Sequence, residues 1–221
     1  MNTLYHIPFS ANCRLVRIAL TENDIPFRLI VEAEWERRQN FIAINPEGKV
    51  PVLVLEDNKN ICGTSVIIEW LDEVGSITLI GTKIDIRCES RRIMNWFFNK
   101  FGKEVDDYIV YEKIMKGFIG KGNPDANVLR AGRKNLQIHL KYIDWLSKNR
   151  DWLAGNEFTI ADISAAANIS IIDYLGEIKW KEFPNVKDWY ARIKSRPSFR
   201  SILLDKIPGL LPPKYYMDLD F

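Results

Sequence analysis

The chain has 221 residues, 47% hydrophobic and 27% charged, with a formal net charge of +2. This is an ordinary globular composition, long enough for one or two domains that bury about 70% of their extended surface; its 7 Trp, 8 Tyr and 11 Phe exclude a disordered chain. No run approaches ~20 apolar residues, so no membrane span is expected, and so small a charge gives no argument for nucleic acid.

In chain order, residues 3–5 read as a short strand, broken by Pro8 and Ser10. Residues 11–23 follow as a helix, with Leu15, Ile18, Ala19 and Glu22 at helical spacing. Residues 26–31 form a second strand and 35–43 a short helix, closed by the turn Asn45-Pro46-Glu47-Gly48. Residues 50–55 are a buried strand, and 57–60 a hairpin turn into Ile61 and Cys62. Gly63 opens a helix over 64–73. The first part is therefore mixed, in the order βαβαββα.

Residues 75–85 read as a linker. Beyond them the chain is almost all helix. A long helix over about 86–117 carries Trp96, Phe97, Phe98, Phe101, Tyr108 and Tyr111, read as core and packing residues rather than a cofactor box. Gly120 to Pro124 ends it, and Leu136, Leu140, Ile143 and Leu146 mark another amphipathic helix. Thr159 and Asp162 form a capping box, with Phe158 and Ile163 as a hydrophobic staple. The helix they start is rich in alanine and is expected to be central, with Asp162 structural rather than catalytic. Pro184 and Pro197 each start a short helix. The expected class is α/β plus all-α, with one unit at 1–80 and a helical unit at 86–221. Through Ile80 there are 7 basic and 11 acidic residues; the remainder holds 24 and 18.

Cys13, Cys62 and Cys88 are odd in number and include no CxxC pair. They read as reduced thiols, and with no secretory signal visible the expected location is cytoplasmic. With two His, His6 and His139, and no Cys/His cluster, no metal site is expected.

Three stretches, residues 5–17, 45–53 and 63–68, together with the cap at Thr159 and Asp162, resemble the glutathione transferase superfamily. The resemblance implies an N-terminal thioredoxin-like domain, a helical C-terminal domain, a symmetric homodimer and glutathione as co-substrate. A thiol of pKa ~8.5 must ionise to attack an electrophile, and a two-unit drop needs roughly 2.7 kcal/mol. By resemblance Ser10 takes the catalytic place, at a helix N-terminus that favours an anion; from the residues alone it reads equally as an N-cap. The resemblance gives Val50-Pro51 a cis peptide that pairs with the tripeptide like an extra strand. Lys49 would meet the ligand's glycine carboxylate, or is a solvated surface lysine. Thr64, helped by Ser65, would hold the γ-glutamyl carboxylate.

One position departs from the pattern. Gly63 stands where glutathione-binding members carry Glu or Gln. A lost charge-assisted hydrogen bond is worth roughly 1.5–3 kcal/mol, so weak or absent glutathione transfer is expected.

In the second half, Glu104-Val105-Asp106, residues 150–155, Ile172-Asp173-Tyr174 and Lys194-Ser195-Arg196-Pro197 resemble a branch of the superfamily that works in alphaproteobacterial cell division. That resemblance implies a dimeric adaptor with the tubulin-like FtsZ polymer as partner. The alternative is an active transferase using Ser10. The tail, with Tyr215, Tyr216, Leu219 and Phe221 among acids, reads as packed on its own helical domain or as a docking segment.

Overall fold

The computed structural model describes residues 1–219. Four strands form one mixed sheet in the order β2-β1-β3-β4. β1 (Asn2–His6) pairs parallel with β2 (Phe27–Val31). It pairs antiparallel with β3 (Val52–Val54), which pairs in turn with β4 (Asn60–Cys62). Helix α1 (Ala11–Glu22) is the crossover between these two parallel strands. The βαβαββα order is as the sequence indicates.

The expected helix over 35–43 is not one helix. A 3₁₀ turn, Glu34–Glu36, comes first, and α2 (Gln39–Ile44) starts after a break. Arg37 sits there at φ 48°, in the left-handed region that interrupts a helix. Glu32, buried, takes both N–H groups of Arg38 at 3.1 and 2.5 Å and ties the ends of this segment together.

Helix α3 (Thr64–Val74) follows the sheet. Helix α4 (Ile84–Asn95) then runs without a break into a π-helical stretch, Trp96–Met115, and a last turn α5 (Lys116–Phe118). Helix α6 (Ala126–Asn149) packs along it. Helix α7 (Ile160–Tyr174) is buried at every residue, as its alanines foretell. Its start carries the capping box: Asp162 accepts from the N–H of Thr159 at 3.1 Å, of Leu153 at 2.9 Å, and from Trp189 at 3.0 Å. Helices α8 (Pro184–Lys194) and α9 (Arg200–Leu203) complete the helical part. Among the described residues no helix is long and apolar enough to cross a membrane.

α1 lies between the sheet and α7, so Cys13 through Leu20 are all buried. Two of these residues are arginines, and each is met by the helical part. Arg14 donates to the Pro8 carbonyl at 2.7 Å, to Ser170 at 2.8 Å and to Tyr216 at 3.4 Å. Arg17 forks onto Asp205 at 2.9 and 2.7 Å. Burying a guanidinium without such partners would cost several kcal/mol. The described part of the tail packs on the molecule: Tyr216 is fully buried, edge-on to Tyr174, and Lys194 donates to the Asp218 carbonyl at 2.5 Å. Phe221 lies outside the described residues.

Candidate functional site

Ser10, Lys49, Val50, Pro51, Thr64 and Ser65 come from three separate segments of the sheet domain, yet all line one cleft of about 530 Å³. Its far wall is Phe98, Val110 and Met115 of the long helix. Ser10 is the N-cap of α1, and its Oγ accepts from the Cys13 N–H at 3.4 Å. The same hydroxyl also hydrogen-bonds the Cys13 thiol while lining the cleft. The Val50-Pro51 peptide is cis, and the Pro51 carbonyl accepts from Gly63 at 3.1 Å. Gly63 has φ +89°, a conformation that favours glycine, with nothing within 4 Å of where a Cβ would stand. It is the N-cap of α3 and supplies no capping side chain, so the first amides of that helix have no local acceptor.

The Cys13 thiol is closed to chemistry. Cys13 is wholly buried, with its sulfur accepting from the Ile7 N–H at 3.5 Å. Burial pushes its thiol up to about 12, so no thiolate forms there at neutral pH.

Lys49 is largely exposed and pairs with Glu34. Its ammonium meets Glu34 Oε1 at 3.2 Å, while Glu34 Oε2 accepts from the Val50 N–H at 3.2 Å. Val50 is buried, and leaving its N–H unmet would cost about 1–3 kcal/mol. The sequence reading missed Glu34. Its one signal is an acid on every second residue, Glu32, Glu34 and Glu36, which strand or loop would present alike. Next to it Trp35 stacks on Phe9 at 6.3 Å and tilts against Phe118 at 5.4 Å, so the segment bridges the sheet domain and the long helix.

The cleft continues into a second hollow of about 400 Å³, walled by Phe9, Phe97, Phe98, Tyr111 and Met115. Phe97 and Phe101 are fully buried, and Phe98 packs against the core while it also lines this space, as Tyr111 does. Asp106 lines it too, with Oδ1 buried and unpartnered. Burial, with the Asp107 charge beside it, pushes the Asp106 carboxyl well above the usual range. The arrangement thus offers a hydroxyl, a helix N-terminus and a hollow lined by both aromatic and polar side chains: a site for a small polar molecule with an apolar attachment. Among the described residues no cluster of His, Cys, Asp and Glu could hold a metal ion.

Comparison with known proteins agrees with this geometry. Residues 4–74 match the family model of the glutathione S-transferase N-terminal domain, and residues 99–197 that of the C-terminal domain. The chain is 44% identical over 223 aligned residues to FtsZ-localized protein A of Caulobacter vibrioides, covering 99% of this chain and 98% of that one. The crystal structure of a glutathione S-transferase from Rhodospirillum rubrum superposes with a TM-score of 0.97 at 45% identity over all of both chains. FzlA from C. crescentus superposes with a TM-score of 0.96 at 43% identity, covering 100% of this chain and 99% of that one. Thioredoxin-like sheet, helical domain, cleft and sequence together place the chain in the glutathione S-transferase family.

Proposed function

We propose that this chain is a cytoplasmic, homodimeric cell-division adaptor that binds FtsZ polymers, with weak or absent glutathione transfer. The observation that carries the reading is 44% identity along essentially the whole of both chains to a protein named for its localization to FtsZ. The cleft supports it: Glu34 occupies Lys49 and the Val50 N–H, and Gly63 supplies no side chain to a ligand's amino end. In this reading residues 1–80 and 86–221 are the two working units, and the inherited cleft is not the working surface. Co-sedimentation with assembled FtsZ tests it; protein that stays in the supernatant at micromolar concentration contradicts it.

A second reading, a transferase that conjugates glutathione to electrophiles through Ser10, has one specific observation in its favour. Ser10, cis-Pro51, Thr64 and Ser65 still surround one cleft, where the Ser10 hydroxyl would stabilise a thiolate. Here Thr64 and Ser65 would hold one carboxylate and Lys49 the other. Calorimetry discriminates: glutathione binding tighter than about 1 mM, some 4 kcal/mol, with turnover lost in Ser10→Ala, favours this reading.

A further inference from the structure

We infer that Glu34 is a built-in stand-in for a ligand carboxylate, and that the cleft opens to small carboxylate ligands only when the Glu34 side chain swings away. The seat is a backbone N–H and an ammonium converging on one carboxylate, both at 3.2 Å. A hydrogen bond to a charged acceptor is stronger than a neutral one, so the seat is selective for carboxylates. Both sides of the contact are held by other bonds. The turn carrying Lys49 and Val50 is fixed by Asn45, whose side chain donates to the Lys49 carbonyl at 2.8 Å and accepts from Glu47 N–H at 3.3 Å. The segment carrying Glu34 is closed at its base by the Glu32–Arg38 fork and stacked through Trp35 on Phe9 and Phe118. Exchange therefore needs rotation of one side chain rather than movement of a loop. Glu34 is about one-fifth exposed, so it has somewhere to turn.

Glu34 competes as an intramolecular group at high effective concentration, which lowers apparent affinity by the fraction of time the seat is free. Nothing in this depends on FtsZ, and a failed co-sedimentation leaves it standing. The test is calorimetry of the full chain with reduced glutathione and with its dimethyl ester. Removing Glu34 in Glu34→Ala is expected to tighten glutathione at least tenfold over the unaltered protein. The ester, which lacks the carboxylates, is expected to gain little. Glu34→Gln keeps the acceptor for Val50 but loses the ion pair, and is expected to fall between; it also serves if the alanine variant folds poorly. Adding Lys49→Ala to Glu34→Ala is expected to cancel the gain. Equal affinities for the unaltered protein and Glu34→Ala, no binding by either, or an equal gain for the ester would overturn the inference.

Discussion

Glu22, the last residue of α1, takes both guanidinium N–H groups of Arg196 at 2.7 Å across 174 residues of sequence. Ser198 adds its hydroxyl to the same carboxylate. Burial pushes the Glu22 carboxyl up, but the bonds from Arg196 and Ser198 outweigh it and hold the group below its usual value. With Arg14 and Arg17, this pair makes α1 the element through which the sheet domain is fastened to the helices. Glu22→Gln is expected to cost about 1.5–3 kcal/mol, read by urea denaturation at pH 7. A lowered folded pKa means this contribution is present above the unfolded value and fades as pH falls through the folded one; the gap between the two proteins should narrow as the pH is taken down through the acid range.

Asp173 gives the opposite pH dependence. Its Oδ1 accepts from Trp180 at 2.9 Å, and Oδ2 is buried with no hydrogen-bond partner. Burial raises it to about 7, against the pull of the Trp180 bond and the charges of Lys194 and Arg14. A carboxyl whose pKa rises on folding takes up protons, so its cost is absent at low pH and grows as pH climbs from about 4 to 7. His6, buried and lowered to about 4, contributes in the other sense, destabilising as pH falls below its unfolded value. A difference measurement isolates Asp173. The Tm of Asp173→Asn minus that of the unaltered protein should be more positive at pH 8 than at pH 5.

Asp162 is expected to be among the costliest single positions. Asp162→Ala strips the acceptor from two backbone N–H groups and the Trp189 indole, all buried. The lost cap is worth about 1 kcal/mol and each stranded donor about 1–3 more, so a drop of at least 3 kcal/mol is expected in chemical denaturation. Asp162→Asn, which keeps an oxygen acceptor, should lose less.

The thiols should separate cleanly. Cys88 is exposed, Cys62 half-buried and Cys13 sealed. Brief iodoacetamide treatment of the native protein at pH 8, read by peptide mass spectrometry, should label Cys88 and leave Cys13 intact. Labelling of Cys13 before unfolding would place its thiol near the cleft surface.

How much of this was legible in the sequence follows from what each feature depends on. The βαβαββα order, the buried α7 and its capping box were legible because period, turn residues and caps act locally. The grouping of Ser10, Lys49, Val50, Pro51, Thr64 and Ser65 was legible only through resemblance, since three separate segments meet there by topology. Arg14 and Arg17 were opaque: an arginine reads as surface until its partners, Ser170, Tyr216 and Asp205, arrive from the other end of the chain. Glu34 was opaque for a different reason. Its contact depends on a 3₁₀ turn ended by a left-handed Arg37, where periodicity suggested a plain helix. Phe98 and Tyr111 were read with Phe97 and Phe101 as core and packing residues, and only the packing shows which of them also meet the cleft.

The most direct measurement of the central proposal is a pelleting titration of the full-length protein against GTP-assembled FtsZ, with and without millimolar glutathione. The account predicts saturable co-pelleting at micromolar protein that glutathione leaves unchanged. Protein left in the supernatant, or co-pelleting abolished by glutathione, would contradict it.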